Sequence, residues 1–208
     1  FSASRGFKGG NFYAGLSYND NHSYLAGNSY ERLSGRINAD FDLSKRFKLG
    51  LSTSLSRGVN NRIDAAWSGG FGEAMSKALP IYPIYYENDE FDDDGNLVAN
   101  AGDYWLKGGI NLNPVAQRDL KDWTALEDRS INNITMKYKL SVAWTIRGQG
   151  PFDYMHFEDH IWEKPGYDPT YKDALGNFLG RAKMYTYDVY NTSGYATANY
   201  IKDFGQNH

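Results

Sequence analysis

Residues 30–57 read YERLSGRINADFDLSKRFKLGLSTSLSR, and their reading decides the fold. Leu33, Ile37, Ala39 and Phe41 share one parity, while Arg32, Ser34, Arg36, Asn38 and Asp40 take the other. After the break LSKR, Phe47, Leu49, Leu51 and Leu55 alternate with Lys48, Gly50, Ser52, Ser54 and Ser56. Side chains of a strand point alternately to its two faces, so this period predicts a β-hairpin with one apolar and one polar face. In a water-soluble sheet the apolar face packs on a core. In an outer-membrane barrel it meets lipid, and the polar face lines a wet interior. The alternation alone leaves both solutions open.

Working outward, the same rhythm recurs. In NFYAGLSYN (11–19), Phe12, Ala14, Leu16 and Tyr18 oppose Tyr13, Gly15 and Ser17. In NITMKYKL (133–140), Ile134, Met136, Tyr138 and Leu140 share a face, and SVAWTIRG (141–148) continues with Val142, Trp144 and Ile146. Strands are expected at about 1–4, 11–19, 30–42, 47–57, 132–140, 141–159 and 188–204, the last with Ala196, Ala198 and Tyr200 on one side. A helix is expected over 69–80, ended by Pro80. The expected connections alternate between tight turns and long loops, the loops being 58–130 and 160–187. A transmembrane barrel has this asymmetry, with short turns at one end and longer loops at the other, whereas a sandwich has no reason for it. Strand lengths also suit the ~9–11 residues a tilted membrane crossing needs. The fold class expected is therefore all-β: antiparallel up-and-down strands forming a segment of a large transmembrane β-barrel with long extracellular loops. Aromatics near the strand ends (Tyr18, Tyr30, Phe41 and Phe47) are expected to form interfacial girdles.

Composition narrows the function classes. The 208 residues carry a net charge of -3, which gives no general attraction to nucleic acid. Cysteine is absent, so disulfides and thiolate metal sites are excluded. No run approaches the ~20 apolar residues of a membrane helix, a criterion that does not apply to barrel strands. The first and last residues, FSAS and GQNH, read as interior sequence of a longer protein. A strand sheet with two unpaired edges would be untenable alone in lipid.

The long segment 58–130 breaks the alternation. It holds 13 acidic residues against 6 basic ones, and the aromatics Trp67, Phe71, Tyr82, Tyr85, Tyr86, Phe91, Tyr104, Trp105 and Trp123. A connection of this length is functional or disordered, and its aromatic content argues for the former. Trp and Tyr rings stack on the apolar faces of sugars, while Asn and Gln bond to hydroxyls. Trp67, Tyr85, Tyr86, Tyr104, Trp105, Asn113, Gln117 and Trp123 are the candidate substrate-binding residues, and Arg32, Arg36, Asn38 and Asp40 the candidate interior-lining ones. The aromatics equally suit packing of the loop on itself or against a protein lid.

Three other signals point to structure rather than chemistry. DEFDDDGN (89–96) lacks the Glu that a calcium loop needs six places after Gly95, and its Asp-Gly reads as a turn. His156 and His160 would lie ~13 Å apart on a strand. No GxSxG elbow or phosphate-binding glycine loop occurs, so neither catalysis nor a cofactor nor a metal is expected.

The ordered set NFYAGLSYND, SYERLSGRINADFDLSKRFKLGLSTSLSR, ALPIYPIYYENDEFDDDGN and NPVAQ (113–117) resembles the barrel of SusC/RagA-type TonB-dependent outer-membrane transporters. The likeness is strong over 1–57 and 78–117 and weaker past about 140. It implies a large barrel in the outer membrane of a Gram-negative cell, filled by a plug that is not part of this sequence. It also implies import of oligosaccharides or peptides driven by the TonB complex, with a SusD-like surface lipoprotein as a partner. The alternative expectation is a soluble, surface-exposed glycan-binding β-sandwich.

Overall fold

The computed structural model describes residues 1–63, 70–107, 109–168 and 170–202. Its body is one antiparallel sheet. The strands are β1 (Ser2–Phe7), β2 (Gly10–His22), β3 (Ser29–Asp42) and β4 (Phe47–Asn61). In the loop after β4 lie α1 (Phe71–Lys77), a small hairpin of β5 (Glu90–Phe91) and β6 (Leu97–Ala99), and α2 (Pro114–Leu120). The sheet resumes with β7 (Lys121–Lys139), β8 (Trp144–Glu163), β9 (Arg181–Thr192) and β10 (Tyr195–Tyr200). Neighbours in sequence are neighbours in space from β1 to β4, then β7 and β8 follow. Both β9 and β10 pair with β8, β9 with its outer half and β10 with the stretch 144–149. The sheet does not close on itself.

The register aligns the alternating patterns into rows. Phe12, Ala39, Leu51 and Ile134 stand opposite one another on four successive strands, and Phe41, Leu49 and Met136 form the next row. On the other face Tyr13, Asn38, Ser52 and Asn133 align. Over these rows one face is thus apolar and the other polar, which a one-residue slip would not allow.

Among the described residues, nothing covers the apolar face. Ile37 is 51%, Leu55 56% and Met136 48% exposed. Among the described residues the buried apolar ones are Ala74, Ala116, Ala125 and Phe157, none of them in this band. A sandwich must bury such a face beneath a second layer. The other sheet is the β5–β6 hairpin, which lies within the loop, so the sandwich alternative is excluded for the described residues. The all-β, antiparallel barrel-segment architecture stands.

Both ends of the sheet differ in kind. At one end the turns are tight. Gly9 takes φ 95°, a conformation open to glycine, and its carbonyl accepts from the Asp42 amide at 2.6 Å. Ser44 accepts the amides of Arg46 and Phe47 at 3.2 and 3.0 Å, and Ser141 repeats the device with Ala143 and Trp144. Ring pairs Phe7–Phe41, Phe47–Tyr138 and Trp144–Tyr200 lie along this end, with centroids 6.2, 6.3 and 4.9 Å apart. They form the girdle expected of a barrel rim. Tyr30 does not join a girdle. It stands opposite Asn60 in the polar-face parity, two places before Arg32, and its hydroxyl lies over Gly58.

At the other end the strands run further than hydrophobic alternation marks. β7 begins at Lys121 rather than near 132, β8 reaches Glu163, and β9 occupies 181–187, where a loop is expected. The single strand expected at 188–204 is two strands parted at Ser193–Gly194. The helix is shorter than 69–80, running from Phe71 to Lys77.

Candidate functional site at the loop end of the sheet

The loop between β4 and β7 is a packed unit, organised by one side chain. Asn113 is 2% exposed. Its Oδ1 accepts from the Ala116 amide at 3.0 Å, capping α2, and Pro114 follows as the first helical residue. Its Nδ2 donates to the carbonyls of Ile84 and Trp105, at 2.8 and 3.1 Å. Those two residues also bond to each other, from the Trp105 amide to the Ile84 carbonyl at 2.9 Å. Asn113 therefore joins three chain segments. Ala116 is fully buried and Gln117 nearly so. The NPVAQ stretch serves as the scaffold of the loop, and Asn113 spends its polar atoms inside it.

The aromatic candidates fall into two groups. The first lies in the loop. Tyr82 stacks on Trp105 at 4.9 Å, and Tyr85 lies 5.1 Å from Tyr104, the two being bridged across their backbones. Tyr85 is exposed, while Tyr86, Tyr104 and Trp105 are half-buried. The Tyr104 hydroxyl donates to Asp119 Oδ2 at 2.8 Å. That bond to a carboxylate pushes the phenol pKa up to about 12. Asp119 is held below the usual carboxylate range, first by the Arg118 fork (2.5 and 3.0 Å) and also by Tyr104. Lys164, from the loop after β8, donates to the Asp119 carbonyl at 2.8 Å and pairs with Asp122 at 3.2 Å. The two long connections are thereby stapled together at the end of α2.

Trp123 belongs to the second group, on the polar face of the sheet itself. The ladder continues one step beyond β4, with the Arg62 amide donating to the Trp123 carbonyl at 2.7 Å. The Arg62 guanidinium lies 5.5 Å from the Trp123 ring centroid and 5.6 Å from that of Phe157. Lys121 Nζ lies 5.5 Å from the same indole and 5.4 Å from the Tyr167 ring. The indole N–H donates to Asp159. A cleft of about 300 Å³ opens here, lined by Arg62, Gln117, Lys121, Trp123, Thr124 and Tyr167 among others. Trp67 lies outside the described residues.

Arg32, Arg36, Asn38 and Asp40 all stand on the polar face. Arg32 donates to Ser56 Oγ at 3.1 Å, and Ser52 donates to Asn38 at 2.7 Å. Arg36, Asn38 and Asp40 line a polar concavity of about 820 Å³ with Asn133, Thr135 and Lys137. The fork of Arg129 on Asp153, at 3.0 and 2.7 Å, adds an ion pair to this face.

The remaining motifs are structural. Asp92 Oδ1 accepts the amides of Asp94 and Asn96, at 3.0 and 2.7 Å, which makes DDDGN a turn. Asp173 and Asn177 repeat that turn in the next loop. His156 and His160 share Glu158 between them at 3.1 and 3.0 Å. Among the described residues no group of three or more His, Cys, Asp or Glu is placed to hold a metal.

Sequence reasoning misses Arg62, Lys121, Phe157 and Tyr167. The first two sit where both faces of the strand are polar, so no alternation marks them. Their contacts join residues far apart in the chain, which no local pattern encodes.

With this geometry in view, known proteins supply a likeness of fold. A solved chain of the RagAB peptide importer in its "closed-closed" state superposes with a TM-score of 0.71 at 17% identity, over 98% of this chain and 22% of its own. A second, of the RagAB peptide transporter, gives 0.72 at 18% identity, over 99% and 22%. The fold is shared. The chain spans about a fifth of the length of the structures it matches. No protein-family model and no curated protein matches the sequence.

Proposed function

We propose that this chain forms part of the wall and outer mouth of a TonB-dependent outer-membrane importer of the SusC/RagA type. The observation that carries this reading is the uncovered apolar band of a single-layer sheet, backed by a continuous polar face. In water that band would cost free energy in proportion to its area, roughly 25 cal/mol per Å². In a bilayer it is the stable arrangement, and the polar face then lines the interior. The loops, gathered at the end opposite the ring girdle, carry the aromatics that a nutrient would meet first.

The cargo is a peptide or an oligosaccharide. The solved chains of like fold belong to a peptide importer, which supports the peptide. The exposed Tyr85 and half-buried Trp105 and Trp123 suit either class, since rings stack on peptide side chains and on sugar faces alike. A SusD-like lipoprotein over the loops and the TonB complex on the far side complete the reading, and lipid surrounds the apolar band. It contains no catalytic step, cofactor or nucleic-acid contact.

The test is uptake by cells carrying the full-length protein, with Trp105→Ala and Trp123→Ala introduced together. Uptake of the growth-supporting peptide or glycan is expected to fall at least tenfold, with unchanged amounts of folded protein in the outer membrane. Undiminished uptake removes the loop from the transport path.

A further inference from the structure

We infer that the described parts of the two long connections, 62–120 and 164–180, form one cooperative unit that opens as a whole, with Lys164 as its coupler. The β7–β8 ladder pairs Lys121 with Glu163 and runs straight into the joint. α2 ends at Leu120, and a helix leaves its last carbonyls without partners of its own. Lys164 serves two of them. Its amide donates to the Leu120 carbonyl and its Nζ to the Asp119 carbonyl, both at 2.8 Å. The ammonium also meets Asp122 at 3.2 Å, and a cation at a helix C-terminus is favoured by the aligned peptide dipoles. Just beyond, the Tyr167 amide donates to the Lys164 carbonyl at 3.0 Å, and the Tyr167 ring lies 5.4 Å from Nζ of Lys121, the residue that follows α2.

From this joint the contacts extend both ways. In the first connection the Tyr104 hydroxyl reaches Asp119, and Asn113 at the other end of α2 holds the Ile84 and Trp105 carbonyls. α2 is a rod of seven residues with Ala116 fully buried, so a shift at one end is felt at the other. In the second connection Glu163, 6% exposed, accepts from Arg181 Nε at 2.7 Å, which ties the outgoing limb to the returning one. The Arg181 guanidinium lies 5.9 Å from the Tyr171 ring, and the Leu179 amide donates to the Tyr171 carbonyl at 2.9 Å. The bonds of Lys164 to α2 are lost if either connection leaves, so each holds the other in place, and a coupling of this kind is reciprocal. In the importer reading, on which this last step rests, a cargo that parts the exposed Tyr85 from Tyr104, now 5.1 Å apart, loosens both connections at once.

The experiment is native-state hydrogen exchange of the full-length protein in detergent, with no cargo added. Amides of one cooperative unit share one opening and respond by a common factor. Asn113→Ala, which cuts contacts of the first connection alone, is expected to speed exchange of the Gln117, Tyr167 and Leu179 amides by about fivefold or more, equally to within about twofold. Lys164→Met keeps the stem but removes the charge and the donor. It is expected to speed the same three amides, and it serves as the second variant should Asn113→Ala assemble poorly. Lys164→Arg, which retains a donor for the Asp119 carbonyl, is expected to stay within about twofold of the wild type, which a space-filling role for residue 164 does not predict. Amides of β3 and β4 are the internal control and should not change. The inference is overturned if Asn113→Ala speeds Gln117 while Tyr167 and Leu179 keep wild-type rates, if Lys164→Met leaves Gln117 unchanged, or if Lys164→Arg exchanges like Lys164→Met. No cargo enters this measurement, so its failure leaves the importer reading standing, and that reading is judged by uptake.

Discussion

Replacing Asn113 with alanine removes the post that joins three loop segments. The helix cap is worth about 1 kcal/mol. The Trp105 carbonyl loses its donor, whereas that of Ile84 keeps the Trp105 amide, and an unsatisfied carbonyl costs ~1–3 kcal/mol. The loop unit should therefore lose roughly 2–4 kcal/mol of local stability, with the cap and one carbonyl summed. The sheet rows are untouched, so the barrel itself should persist. Hydrogen exchange of the full-length protein in detergent reads this directly. The Trp105 amide, which bonds to Ile84, should exchange at least tenfold faster, since ~1.4 kcal/mol is a factor of ten. Amides of β3 and β4 should not change. Asn113→Ser separates the two roles, because serine caps a helix about as well as asparagine but has no amide to donate. The Ala116 amide should then remain protected while Trp105 is released. Should Trp105 stay protected in Asn113→Ala, the account of the loop as built around this residue is wrong.

Two further outcomes follow from the same geometry. Ile37→Arg places a charge in the middle of the apolar band and should cost about 2–4 kcal/mol in urea titrations of folding into vesicles, whereas Ser17→Arg on the polar face should cost well under half of that. Equal losses would mean the faces are misassigned. For Tyr104, the folded phenol titrates at about 12 against 10.0 unfolded, so its bond to Asp119 is fully present below pH 10 and is lost as pH rises towards 12. Proteolytic protection of the loop should decline over that window, and Tyr104→Phe should abolish the decline.

Much of the sheet was legible because its two faces differ in polarity. Leu33, Ile37, Leu49 and Leu51 against Arg36, Asn38 and Ser52 record an apolar and a polar side, and the register preserves the division across strands. Where both faces are wet, the record fades. Residues 121–130 of β7 include Asp122, Thr124, Glu127, Asp128 and Arg129, with polar groups on both parities, so strand structure there is held by pairing and leaves no periodic trace. The start of α2 was written plainly in Asn113–Pro114, a cap followed by proline at the first helical position. Its burial was not, because the Ile84 and Trp105 carbonyls that Asn113 reaches lie 29 and 8 residues away in the chain. The aromatic content of the loop marked a built surface without saying which rings face each other. Only coordinates pair Trp123 with Arg62.

The length of β8 has a consequence for where capture happens. Twenty residues extend roughly 66 Å at ~3.3 Å each, and a tilt of about 40° leaves a rise of roughly 50 Å. A hydrocarbon layer of ~30 Å takes up little more than half of this. Because the turns at the ring-girdle end are tight, the importer reading puts the surplus on the other side, as a parapet above the lipid. The His156–Glu158–His160 ladder decorates the outside of that parapet, and the Arg62–Trp123 contact sits within it. In the importer reading, a passing molecule would first meet the sheet well above the headgroups, before it has to shed its water for the channel, and whatever grips the parapet from outside could do so without touching the bilayer.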